Sequence, residues 1–215
     1  MMIVGTLLIH NWDRNPYFKG YTTGIFANSV VYNWSGYNAA YVADPSNGGA
    51  SQVSFVGNNF VPGPSTPSQR PMQLYSTVKT GTKLYVADNS QGRGASPPSD
   101  PWSLVVNQFG SAGVATTPQA WPAGFNPLPN SQVYSSVIAN AGAWPAARDA
   151  VDQRYFSDLR NGTGGKPSGT GGPWPTIPAA QRALTLPANP NGVAASGYTN
   201  LEEWLQNLAR AAEGR

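Results

Sequence analysis

The chain has 215 residues, with 13 Lys+Arg, 10 Asp+Glu and one His, for a formal charge of +3. With no Cys, disulfide scaffolds, Cys-based zinc sites and thiol catalysis are excluded, and one His excludes a multi-His metal centre. Only 11% of residues are charged against 24 Gly and 20 Pro, which rules out a helical bundle, while seven Trp and ten Tyr argue against disorder. What remains is a turn-rich, β-dominated protein with one or two helices.

The first apolar stretch, Met1 to Ile9, is broken by Gly5 and Thr6 and ends at His10. It falls far short of the roughly 20 residues that span a bilayer. It also lacks the basic start and small-residue cleavage site of a signal peptide. The cations are scattered rather than striped, so neither a membrane nor a nucleic-acid partner is expected.

That stretch opens a repeat. Ile3-Val4-Gly5-Thr6-Leu7-Leu8-Ile9-His10-Asn11 matches the run from Ile25 to Asn33 at an offset of 22, and the pattern returns from Phe55 and from Tyr85 at offsets of 30. Each copy joins two short apolar runs through a small residue and a polar Asn or Asp. The offsets suit coils of a parallel β-helix, each stacking on the last; a β-sandwich is the alternative. About four coils are predicted, with Ile3, Leu7, Ile25, Val30, Phe55, Phe60 and Tyr85 inside or between them. Asn28, Asn58 and Asp88 are expected to stack at one corner.

From residue 91 to 133, seven prolines punctuate a Gly/Ser/Ala-rich segment with one strand-like run, Trp102 to Val106. It reads as extended coil anchored on the body by Trp121 and Phe125. The spacing of Ala147, Val151, Tyr155 and Leu159 then predicts a helix from Pro145 to Arg160, stopped at Asn161-Gly162. A loop follows from Gly162 to Pro178. Thr199-Asn200-Leu201-Glu202 is a capping box that opens a second helix, with Leu201, Trp204, Leu205 and Leu208 on its apolar face. The whole is expected to be one domain, 1–215, with coils over 1–110 and coil plus helices over 111–215.

The densest polar cluster, His10 to Gly20, holds the only His and two cations. Arg14 offers a planar fork suited to a carboxylate, and Lys19 a mobile point charge. Trp12 and Tyr17 supply flat faces for a sugar ring or serve as core. Arg14 beside Asp13 also reads as a surface ion pair, and His10 as a corner residue bonded to a neighbouring coil. Arg14 and Lys19 are five apart, so Pro16 must bend the chain if both are to reach one ligand.

Arg14-Asn15-Pro16-Tyr17-Phe18-Lys19, followed by the Asn-bearing run Ile25 to Asn33, resembles the Arg-x-Pro-x-x-(Arg/Lys) segment of the pectate lyases, polysaccharide lyase family 1. Val137 to Asp152 with Arg160 to Gly164, and then Gly197 to Leu205, resemble the C-terminal region and terminal helix of microbial members. The resemblance implies an all-β, right-handed parallel β-helix, with C-terminal coil and two short helices, that cleaves polygalacturonate by β-elimination. It implies Arg14 as the base and Lys19 as the second basic residue; His10, the chemically easier proton acceptor, is read from the cluster itself as a further substrate contact. Family members are secreted and use calcium. Here the motif begins at residue 14, and before residue 100 only Asp13, Asp44 and Asp88 supply carboxylates, so no metal ligands are assigned. The expectation is therefore the C-terminal half of a microbial pectate lyase, truncated or split, whose first coil is an uncapped edge open to a partner chain. The rival readings are a non-catalytic β-helix module that binds acidic glycans or a partner chain, and a fragment of a fibrous assembly.

Overall fold

Twelve short strands between residues 2 and 107 wind into four coils of three strands each. They are β1 (Met2–Val4), β2 (Leu7–Ile9), β3 (Tyr17–Phe18); β4 (Thr23–Ala27), β5 (Val30–Tyr32), β6 (Ala40–Val42); β7 (Gln52–Val56), β8 (Asn59–Val61), β9 (Met72–Leu74); and β10 (Lys83–Ala87), β11 (Ser90–Gln91), β12 (Val105–Asn107). The structure is a computed structural model that describes residues 1–165 and 185–213. Like-placed strands pair in parallel into three four-stranded sheets, β1-β4-β7-β10, β2-β5-β8-β11 and β3-β6-β9-β12. This is the right-handed parallel β-helix, and the four expected coils are present.

The repeat is slipped by one residue from its apparent register. Ile3 pairs with Phe26 rather than Ile25, Phe26 with Phe55, and Phe55 with Val86. The equivalent residues at the first corner are Gly5, Asn28, Gly57 and Asp88, all in the left-handed region with φ of 65°, 48°, 66° and 54°. The steps are therefore 23, 29 and 31 residues (5 to 28, 28 to 57, 57 to 88). A glycine, Asn or Asp suits this corner because a bulkier side chain at positive φ meets the backbone. In a strand, a slip of one residue exchanges the two faces. Phe26, Val31, Phe55, Phe60 and Leu84 consequently fill the interior, with Ile3 packed against them. A fully buried Phe contributes about 1.5–3 kcal/mol, more than the roughly 1 kcal/mol of one ladder hydrogen bond, so the aromatic stack selects the register.

Ile25 and Tyr85, expected inside, instead lie on the outer face of the first sheet, packed with Ala27, Val56, Trp121 and Phe125. Leu7 and Val30 lie on the outer face of the second sheet. The polar stack is displaced likewise. Ser29, Asn58 and Asn89 form it: Asn58 Oδ1 accepts from Ser29 N–H at 3.1 Å, and Asn89 Oδ1 accepts from Asn58 N–H at 2.9 Å. Asn28 and Asp88 point outward and hold the returning chain. Asn28 makes two hydrogen bonds with the Leu128 backbone, and Asp88 Oδ2 accepts from Asn130 N–H at 2.8 Å.

That return starts a helix absent from the sequence reading, α1 (Asn130–Asn140). The helix expected from Pro145 is a short 3-10 turn (Pro145–Ala147) followed by α2 (Ala150–Asn161). Asp149 captures the Val151 and Asp152 N–H groups, so the cap rather than the proline sets the helix start. Gly162, at φ 71°, closes α2 as the stop signal requires. Arg148 Nη2 donates to the carbonyls of Ile138, Ala139 and Ala141 and ties the end of α1 to the start of α2. Val133, Val137, Phe156 and Leu159 bury Val30, Tyr32 and Val61 beneath the two helices. The expected loop from 162 to 178 lies, from residue 166 on, outside the described residues.

The chain divides into two compact units, Met1–Thr170 and Gly171–Arg215. The second contains α3 (Asn200–Glu213), opened by the expected capping box: Thr199 N–H donates to Glu202 Oε2 at 2.7 Å, and Glu202 N–H donates to Thr199 Oγ1 at 3.2 Å. Those bonds from Thr199 hold the Glu202 carboxyl below its ordinary range. Among the described residues no helix is long and apolar enough to cross a membrane.

Candidate active site

Each sheet buries its inner face, and the first two also pack their outer faces under Trp121–Phe125 and under the helices. The outer face of the third sheet belongs to none of these clusters. Parallel register brings Tyr17 of β3 beside Tyr41 of β6, and Tyr75 follows β9 on the same face. The ring centroids of Tyr17 and Tyr41 are 6.1 Å apart, edge to face, and those of Tyr41 and Tyr75 are 5.5 Å apart. Such offset geometries suit the aromatic quadrupole.

These rings line a cleft of about 170 Å³ together with Asp13, Arg14, Ala43 and Thr77. Tyr41 forms the floor, buried, with its hydroxyl accepting from Asn38 N–H at 3.0 Å; Tyr17 and Tyr75 are half-buried. Burial pushes all three phenols up, Tyr41 to about 12, against the smaller opposing effect of the Asn38 bond there and of the Arg14 charge at all three. The hydroxyls thus stay neutral at ordinary pH and bring no negative charge into the cleft.

Arg14 stands at the rim. Its backbone is left-handed (φ 64°), the Asn15–Pro16 peptide is cis, and Asn15 N–H donates to Ala39 O at 2.7 Å. This turn brings both cations to one ring: Arg14 Cζ is 5.4 Å from the Tyr17 centroid and Lys19 Nζ is 5.6 Å from it. The parity that set them on opposite sides of a straight strand is overcome at Pro16. Arg14 Nε also lies 3.6 Å from Asp13 Oδ1, with 66% of the Arg14 side chain exposed. An exposed pair at that distance contributes little and leaves the guanidinium able to turn toward a ligand.

His10 is not brought to this cleft. It lies at the second corner, only 7% exposed, with Nδ1 2.9 Å from Asn33 Nδ2 and Nε2 3.2 Å from Asp158 Oδ2. The rings of Tyr32 and Tyr155 flank it. Tyr41 and Tyr75 went unnoticed in the sequence, although Tyr17-Phe18 and Tyr41-Val42 repeat an aromatic-then-apolar pair in the third strand of successive coils.

Calcium, which the resemblance implies, needs six to eight oxygen ligands, usually with several carboxylates. The cleft offers Asp13, already facing Arg14, and neutral phenols. Among the described residues no group of three or more His, Cys, Asp or Glu side chains converges to hold a metal ion. The donor set does not fit calcium.

No family model matches the chain, and no solved structure matches it. Among curated proteins it is similar to probable pectate lyase C of Aspergillus fumigatus, at 28% identity over 94% of this chain and 52% of that protein. The same name and the same figures apply in Neosartorya fischeri, and in Emericella nidulans the match is 30% over 74% of this chain and 35% of that protein. The chain spans about half the length of the curated relatives it matches most extensively. The chain is thus similar over nearly its whole length to probable pectate lyase C, matching the C-terminal half of the longer fungal protein.

Proposed function

We propose that this chain carries the proton-abstracting and uronate-holding part of a polysaccharide lyase that cleaves polygalacturonate by β-elimination. The observation that carries the reading is the convergence of Arg14 and Lys19 on the ring of Tyr17, which with Arg14 lines an open cleft, within the segment that resembles the lyase motif. In the reaction a base takes the C5 proton beside the uronate carboxylate, and the C5–H electron pair passes into that carboxylate as an enolate-like anion. The pair then returns to form the C4–C5 double bond while the C4–O bond breaks, and the departing oxygen takes a proton from solvent. Arg14 is the base in this reading: it gives a proton to solvent before the step and takes the C5 proton as a neutral guanidine, ending as guanidinium. Lys19 faces the carboxylate and lowers the energy of the developing negative charge. His10 is left out, since both ring nitrogens are engaged by Asn33 and Asp158. A secreted location accompanies the substrate, a polymer outside the cell.

The test is the ultraviolet absorbance of the unsaturated uronate product when the full chain meets polygalacturonate, with and without calcium. Product formation supports the reading. Absence of product under both conditions overturns it for this chain.

A further inference from the structure

The third sheet differs from its two neighbours in one respect. Their outer faces carry aliphatic and aromatic side chains that other segments bury, whereas its outer face carries stacked tyrosines that open on a cleft. Aromatic side chains that open on a concavity with a few polar groups beside them are the usual lining of a small-ligand site. The volume, about 170 Å³, is below the roughly 300–1,000 Å³ of drug-sized pockets, so it accepts one sugar ring and leaves the rest of an oligosaccharide outside.

Tyr17 has a different part from the other two. Its ring lies near both Arg14 and Lys19, so it holds the cations at the rim. Tyr75, half-buried beside the buried Tyr41, presents the remaining aromatic surface. A pyranose has C–H groups of partial positive charge on its faces, which suit the negative face of an aromatic ring. Its hydroxyls find neutral phenol donors, and a carboxylate finds Lys19 beside Tyr17. Side chains thus supply an aromatic face, hydroxyls and a cation for an acidic sugar, while among the described residues no group of carboxylates gathers to bridge it through calcium.

We propose that Tyr75, backed by the buried Tyr41, is a saccharide-stacking platform that holds one uronate ring in this cleft, with Lys19 rather than a divalent cation facing its carboxylate. The inference rests on the acidic-saccharide reading above and adds the stacking residues and cation independence.

The test is calorimetric titration of the full chain with trigalacturonate, first in EDTA and then in calcium. Affinity in EDTA is expected to stay within roughly twofold of that in calcium. Tyr75→Ala is expected to weaken binding about tenfold, the scale of one lost aromatic contact. Tyr75→Phe, which keeps the ring, is expected to stay within about threefold of the parent, and thermal melting of both variants checks that the fold is kept. Binding that requires calcium overturns the proposal, as does binding indifferent to Tyr75→Ala, and as does no binding at all. The two readings fail separately. Binding that follows Tyr75 without any product sinks the lyase reading and keeps the platform; product formation with binding blind to Tyr75 does the reverse.

Discussion

The amide nitrogen of Asn33 faces His10 Nδ1 across 2.9 Å, while Asn33 Oδ1 accepts from Ser65 N–H at 2.7 Å. The second bond orients the amide, so Nδ1 of the imidazole is the acceptor and Nε2 carries the proton given to Asp158 Oδ2. Asp158 Oδ1 in turn accepts from the Thr163 hydroxyl, and Tyr32 O–H donates to Thr163 O. The network fastens the end of α2 to the β-helix corner.

Asp158→Ala therefore leaves a buried Nε2–H without its acceptor. The expected loss is about 1–3 kcal/mol in urea unfolding, with faster hydrogen exchange at Thr163 and Gly164. Oligogalacturonate affinity is expected to stay unchanged, because the network does not line the Tyr41 cleft. A large fall in affinity without a fall in stability would return His10 to the ligand.

Asn58 offers a second test of the fold. Its Nδ2 donates to Phe26 O at 2.8 Å and its Oδ1 accepts from Ser29 N–H, both buried. Asn58→Ala strips partners from two buried backbone groups, at about 1–3 kcal/mol each, so about 2–6 kcal/mol is expected from denaturant titration. An Asn28→Gly change, which keeps the left-handed corner, breaks the two bonds to Leu128 and the long 3.5 Å bond to Gly57 O, and is expected to cost less. If Asn28→Gly proved the costlier, the inward stack described above would not be the main polar support of the coils.

The repeat was legible because each coil spends its letters alike: apolar run, small residue, polar residue, apolar run. Its register was not, because Asn28 and Asn58 look alike as letters while one turns a left-handed corner and the other bonds inside. Only packing of Phe26 on Phe55 separates them, and that is a contact across 29 residues (26 to 55). Helix α1 escaped for a related reason. Asn130–Asn140 is rich in Ser and Asn and weakly patterned, and it is held at its ends by Asp88, Asn58 and Arg148 rather than by its own propensity. At the cleft, Arg14 and Lys19 were visible because they are close in sequence. Tyr41 and Tyr75 reach Tyr17 only through the sheet register, across irregular steps of 24 and 34 residues (17 to 41, 41 to 75).

Tyr41 gives the chain an alkaline limit. Burial raises its phenol from an ordinary value of 10.0 to about 12, the Asn38 N–H bond opposing this less strongly. The folded state thus favours the neutral phenol more than the unfolded state does. That contribution is fully present below pH 10 and is lost as pH rises from 10 through about 12. Tyr41→Phe removes the ionisation, so its melting temperature is expected to fall less steeply than the parent's between pH 10 and 12. Equal slopes over that window would show that Tyr41 does not titrate with unfolding.

Arg14 and Lys19 divide the proposed chemistry in a way that kinetics can separate. Both are exposed on the surface, so neither Arg14→Lys nor Lys19→Ala is expected to move stability by more than about 0.5 kcal/mol. Arg14→Lys keeps a positive charge near Tyr17 and Asp13 but loses the planar fork and the guanidine nitrogens that meet the C5 proton. If Arg14 is the base, kcat is expected to fall about 10²–10⁴-fold, the usual worth of a positioned proton acceptor. Lys19→Ala removes a charge that meets the carboxylate in both ground and transition states, so KM is expected to rise more than kcat falls. The contrast carries the assignment. Should Arg14→Lys leave kcat within about threefold of the parent, a proton acceptor other than Arg14 does the work, and the cleft keeps at most its role in holding the uronate.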